Sequence, residues 1–83
     1  MSLRSFEDDL FSDTRDNALR FSSLLGYLKR LGFTETVRGS HRILRIEGLT
    51  RPLTLQPDGS YCKPYQVRQV RKVLRERQMR LFP

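Results

Sequence analysis

One cysteine, one histidine and no long apolar run are the scarcities that bound this sequence. Cys62 has no partner within the chain, so an intramolecular disulfide is excluded and a reducing, cytosolic compartment fits. A single Cys and a single His fall short of the four ligands of structural zinc. No carboxylate pair lies at ligand spacing around them, so neither a metal nor a small-molecule cofactor is expected. No apolar stretch approaches the roughly 20 residues that span a bilayer. The N-terminus also lacks a basic region followed by an apolar one, and the expectation is a soluble, cytoplasmic protein without a membrane partner. Internal repeats, heptads and low-complexity segments are absent as well.

What the chain has is positive charge. Its 83 residues hold 16 Lys and Arg against 9 Asp and Glu, a net of +7, which favours a polyanionic partner through phosphate contacts and counterion release. The charge is unevenly placed: residues 1–16 carry Glu7, Asp8, Asp9, Asp13 and Asp16 against Arg4 and Arg15, so the basic excess belongs to residues 17–83. Phe6, Leu10 and Phe11 offer the acidic leader one amphipathic turn, but its composition equally suits a mobile tail, and a solvated extension is the expectation for 1–16.

Residues 17–83 read as one small α+β domain. Leu24, Leu25, Leu28 and Leu31 share one helical face from about Phe21 to Leu31, with Ser22 or Ser23 as the cap and Gly32 as the left-handed stop. Three strands follow at 33–38, 41–47 and 51–56, turning at Gly39-Ser40 and at Gly48-Leu49-Thr50. In the second strand Arg42, Leu44 and Ile46 alternate with His41, Ile43 and Arg45, so one face meets the helices and the other is left for the leader or a partner. Pro57-Asp58-Gly59-Ser60 marks a turn before a last helix entered through Lys63-Pro64, with Val67, Val70, Val73 and Leu74 as its buried stripe. Arg68, Arg71, Lys72 and Arg75 fall on its remaining surface as an RNA-backbone or solvated face, and Lys63 and Arg68 flank the helix entrance, where phosphate is favoured.

His41 carries the chemical interest. An imidazole titrates near neutral pH, and one held by a tight turn beside Arg38, Arg42 and Arg45 suits acid/base work on a phosphodiester. RNA supplies its own 2′-OH nucleophile, so the expectation is that neutral His41 would act as general base, help typically worth about 10²–10⁴-fold, while the arginines would stabilise the phosphorane. The acid for the 5′-oxygen is left open among His41 itself, water, Lys63, Tyr61 and Tyr65. No Ser-His-acid arrangement is indicated, so Ser40 shapes the turn, and Cys62 has no evident activation.

The segment from Phe21 to Phe33, the triplet Gly39-Ser40-His41, and Leu53-Thr-Leu-Gln-Pro57 followed by Lys63-Pro-Tyr-Gln-Val-Arg-Gln-Val-Arg71 together resemble the HicA family of toxin-antitoxin mRNA interferases. The likeness runs from roughly Asn17 to Leu74. It implies a fold similar to a double-stranded-RNA-binding domain (α-β-β-β-α), His41 as the catalytic residue on a turn shaped by Gly39 and Ser40, mRNA as substrate, and a HicB-type antitoxin as partner. Many members carry a second histidine in a Pro-x-His segment after the third strand. Here that stretch is Gln56-Pro57-Asp58-Gly59, so a two-histidine mechanism is unavailable. The competing reading is a non-catalytic RNA- or protein-binding module of the same fold, in which His41 merely opens a strand.

Overall fold

The computed structural model describes residues 2–83. Three helices and three strands follow in the order α1 (Leu3–Ser12), α2 (Phe21–Leu31), β1 (Thr34–Arg38), β2 (His41–Arg45), β3 (Leu53–Leu55) and α3 (Pro64–Glu76). The strands form one antiparallel sheet in the order β1-β2-β3. The result is an α+β domain in which Phe21 to Glu76 keep the expected helix, three strands, helix.

The acidic leader is the main departure. It is not a solvated tail but the helix α1, started by Ser2, whose hydroxyl accepts from the Ser5 amide at 3.0 Å. Phe6 and Leu10, one helical turn apart, are buried; Phe6 meets Tyr27 of α2 with ring centroids 5.5 Å apart. Each such burial stabilises by about 2 kcal/mol. The leader packs on α2 and α3 and leaves the sheet's outer face uncovered. Three of its five carboxylates are engaged by the rest of the fold: Glu7 by the C-terminal segment, Asp13 and Asp16 by Arg71.

The core lies between the helices and the inner face of the sheet. Leu24, Leu25 and Leu28 of α2 and Val67, Val70 and Leu74 of α3 bury against Leu44, Leu53 and Leu55. Gly32 ends α2 at φ 112°, as its place after Leu31 foretold. The expected serine cap is absent, however. Arg20 is the N-cap without a side-chain bond, and the chain entry is fixed instead by Phe21 N–H donating to Ser60 C=O at 3.0 Å.

The strands are shorter than the sequence implied. Phe33 spends its amide on Leu28 C=O at the end of α2, so β1 begins at Thr34. β2 stops at Arg45 because a turn, closed by Leu49 N–H on Ile46 C=O, begins immediately after it. β3 is confined to Leu53–Leu55 between Pro52, which has no amide to donate, and Pro57.

Candidate nucleic-acid interface

Gly39 and Ser40 form a two-residue hairpin that pairs Arg38 directly with His41. Gly39 has φ 58° and Ser40 does not share the positive φ, which is the pattern of a type II′ turn and the reason glycine stands first. The twist of such a turn matches that of its strands, so His41 is set at the head of β2 by backbone geometry.

Strand alternation then sorts the neighbours. Thr34, Thr36 and Arg38 of β1, His41, Ile43 and Arg45 of β2, and Thr54 of β3 share the outer face. All but the half-buried Ile43 are exposed. This face carries two arginines, one imidazole, three hydroxyls and no carboxylate, so nothing on it repels phosphate.

Arg42 points the other way. It is held by Glu35 at 3.1 Å, and Lys29 holds the second oxygen of the same carboxylate at 2.6 Å. These two bonds, with Lys29 the stronger influence, draw the Glu35 carboxyl below its usual range. Arg42 also lines a hollow of about 260 Å³ with Arg20, Phe21, Ser22 and the Pro57–Ser60 turn. Arg20, which the sequence reading passed over, lies there with its guanidinium 5.4 Å from the Tyr61 ring centroid.

The α3 cations divide. Arg68 and Lys72 are exposed, Lys72 beside Arg51 and Pro52 near the β3 edge, and Lys63 is the half-buried N-cap of the helix. Arg71 is different and corrects the expectation of a phosphate ligand. It is 4% exposed and donates to Asp16 at 2.8 and 2.9 Å, to Asp13 at 2.6 Å and to Leu10 C=O at 2.9 Å. With four of its five N–H donors engaged inside the fold, this buried guanidinium is not placed to take a phosphate. The cations therefore do not converge on one patch: Arg38 and Arg45 accompany His41, while the others sit on the helical side or in hollows.

One arrangement was not read from the sequence. A step beyond Arg42↔Leu55 in the same register, Gln56 stands opposite His41, and its side-chain amide donates to Ser40 Oγ at 3.1 Å. The Gln56 backbone N–H donates to Gln66 Oε1 at 3.1 Å, and Gln66 Nε2 donates to Tyr65 Oη at 3.2 Å. Gln66 is buried, so this chain of bonds ties the His41 turn to the start of α3 through a satisfied polar group. The signal was present in register counting, which places residue 56 across from residue 41.

Neither alternative nucleophile gains support. Ser40 Oγ is engaged by Gln56, and Cys62 is buried, its thiol pushed up to about 12 by desolvation. No family model, curated protein or solved structure matches this chain.

Proposed function

We propose that this protein is a metal-independent RNA endonuclease of the HicA mRNA interferase kind, with a fold like that of double-stranded-RNA-binding domains and with His41 as its acid/base. The observation that carries the reading is the exposed His41 at the head of β2, on a face that holds Arg38 and Arg45 and no carboxylate.

In this reading an RNA strand lies across the outer face. Neutral His41 removes the 2′-OH proton, the 2′-oxygen attacks the adjacent phosphorus, and Arg38 and Arg45 stabilise charge on the phosphorane. The bond to the 5′-oxygen breaks, leaving a 2′,3′-cyclic phosphate and a 5′-hydroxyl. With one imidazole present, the proton taken from the 2′-OH returns from the same ring to the departing oxygen. A HicB-type antitoxin silences the site by covering His41, its acidic groups set against the arginines. Cytoplasmic action follows from the substrate.

The test is cleavage of a labelled single-stranded RNA, in EDTA, by the parent and by His41→Ala. The expected result is cutting by the parent alone, with RNA affinity nearly equal in the two. RNA bound by both and cut by neither would favour the non-catalytic module, for which the single histidine is the supporting observation.

A further inference from the structure

The two edges of the sheet are unequal. β3 is three residues long and bracketed by Pro52 and Pro57, the short, proline-flanked form that resists further pairing. β1 is five residues long, contains neither proline nor glycine, and among the described residues pairs only with β2. Across a two-residue turn the flanking residues exchange both hydrogen bonds, so Arg38, Thr36 and Thr34 direct their amides and carbonyls at β2. Glu35 and Val37 therefore turn theirs outward. Val37, 55% exposed, adds an apolar β-branched side chain to that open edge.

The net charge at this edge is positive. Glu35 is the only acid in β1, and Lys29 and Arg42 neutralise it with charge to spare. Arg38 closes the strand and Arg45 stands opposite Thr34. A second copy pairing edge to edge would bring these cations against their like. RNA has no alternating row of N–H and C=O groups to match the ladder.

We infer that the β1 edge accepts an extended, acidic segment of a protein partner as a fourth strand of the sheet. Backbone bonds to Glu35 and Val37 supply the register, a small apolar side chain packs on Val37, and carboxylates at the alternate positions lie on the outer face with Arg38. Binding at the edge does not depend on the RNA reading. Its consequence does: an added strand would crowd Arg38 and the adjoining His41, the means by which a partner of the proposed nuclease would exclude RNA.

The experiment uses the ¹⁵N-labelled full chain and the blocked peptide acetyl-Thr-Glu-Val-Glu-Val-Glu-Thr-amide, with a copy bearing Lys in place of Glu as control. The acidic peptide is expected to slow hydrogen exchange at the Glu35 and Val37 amides by about tenfold or more, and the Lys peptide to bind about tenfold more weakly. Val37→Pro, which removes an outward N–H, abolishes binding. Val37→Glu, which leaves the backbone intact and places a like charge on the edge, weakens it about tenfold and serves if the proline variant does not fold. Unchanged exchange at Glu35 and Val37, equal binding of the two peptides, or binding that survives both variants overturns the inference. So does protection of the same amides by the protein's own rising concentration, which would seat a second copy there. A protein that fails to cut RNA but passes these tests loses only the proposed activity.

Discussion

Arg71 of α3 forks onto Asp16 in the loop after α1, Nη1 to Oδ1 at 2.8 Å and Nη2 to Oδ2 at 2.9 Å, joining positions 55 apart in sequence. The pair closes the N-terminal segment over the last helix, and Asp13 and the Leu10 carbonyl complete its shell. Bidentate geometry fixes its orientation, and burial makes the loss of one partner far more costly than at a surface ion pair.

Breaking one side leaves a buried charge without its partner, which costs about 3–5 kcal/mol when burial is complete. Asp16 keeps some contact with solvent, so Asp16→Asn is expected to cost about 2 kcal/mol, lowering the Tm by roughly 8–16 °C in a domain of this size. The hydrogen bond from Arg71 holds the Asp16 carboxyl below its usual range, against the opposing pull of burial. Its contribution is therefore complete above the ordinary Asp range and is lost as pH falls through the lower, folded value. Denaturant melts from pH 6 to pH 2 should show the parent losing this increment while Asp16→Asn does not. RNA affinity should be unmoved in a folded Arg71→Met protein, since that guanidinium is buried against the N-terminal segment.

Glu7 fastens the other end. Its buried carboxylate accepts from the Tyr27 hydroxyl, from the amides of Leu81 at 2.7 Å and Phe82 at 3.3 Å, and from Arg80 at 3.3 Å. Burial works to raise this carboxyl, but the combined donors outweigh it and it titrates below its usual value. Glu7→Gln presents an NH₂ to a cluster of donors and should cost about 1–3 kcal/mol. The C-terminal segment is expected to loosen first, seen as faster hydrogen exchange at Leu81 and Phe82. The parent should show the same loosening as pH falls through the folded Glu7 pKa. Equal exchange rates in parent and variant would remove Glu7 from this role.

What was legible in the sequence is what local pattern encodes. The leucine spacing of α2, the stop at Gly32, the Gly39-Ser40 turn and the proline entry to α3 each depend on residues a few positions apart. The helix α1 was not legible because what holds it is remote: Arg71, Leu81 and Phe82 lie more than 50 positions away, and five nearby carboxylates mimic a solvated tail. Arg71 was misread for a subtler reason. Val67, Val70, Arg71 and Leu74 follow the i, i+3, i+4, i+7 pattern of a buried face, and charge alone moved Arg71 off that face. At the site, strand alternation placed His41 with Arg45 on one face, but Gln56 emerged only once the β2–β3 register was known.

Cys62 offers a check on which nucleophile the fold leaves available. It is 3% exposed, and burial alone pushes its thiol up to about 12, so almost no thiolate exists at neutral pH. A thiol reagent such as an aromatic disulfide should label the native protein no faster than it unfolds, and label it at once in denaturant. Cys62→Ala is expected to cost about 1–2 kcal/mol of packing and to leave the proposed RNA cleavage intact. Rapid stoichiometric labelling of the native protein would show an accessible thiol and reopen the cysteine reading.

The bonds from Ser40 through Gln56 to Gln66 predict how the His41 turn is kept in place. Gln66→Leu leaves the half-buried Gln56 N–H without an acceptor, at a cost of about 1–2 kcal/mol, and frees the strand end from which Gln56 reaches Ser40. If the turn must be held for His41 to meet a 2′-OH, small displacement carries a large kinetic penalty. The proposed cleavage should fall about tenfold in Gln66→Leu with RNA affinity little changed. Gln66→Glu retains an oxygen for the Gln56 amide and should recover most of the rate, although it can no longer donate to Tyr65. Ser40→Ala removes only the last acceptor of the chain and should reproduce the loss at smaller cost in stability. Parent-like cleavage by both Gln66→Leu and Ser40→Ala would mean that the type II′ turn holds His41 unaided.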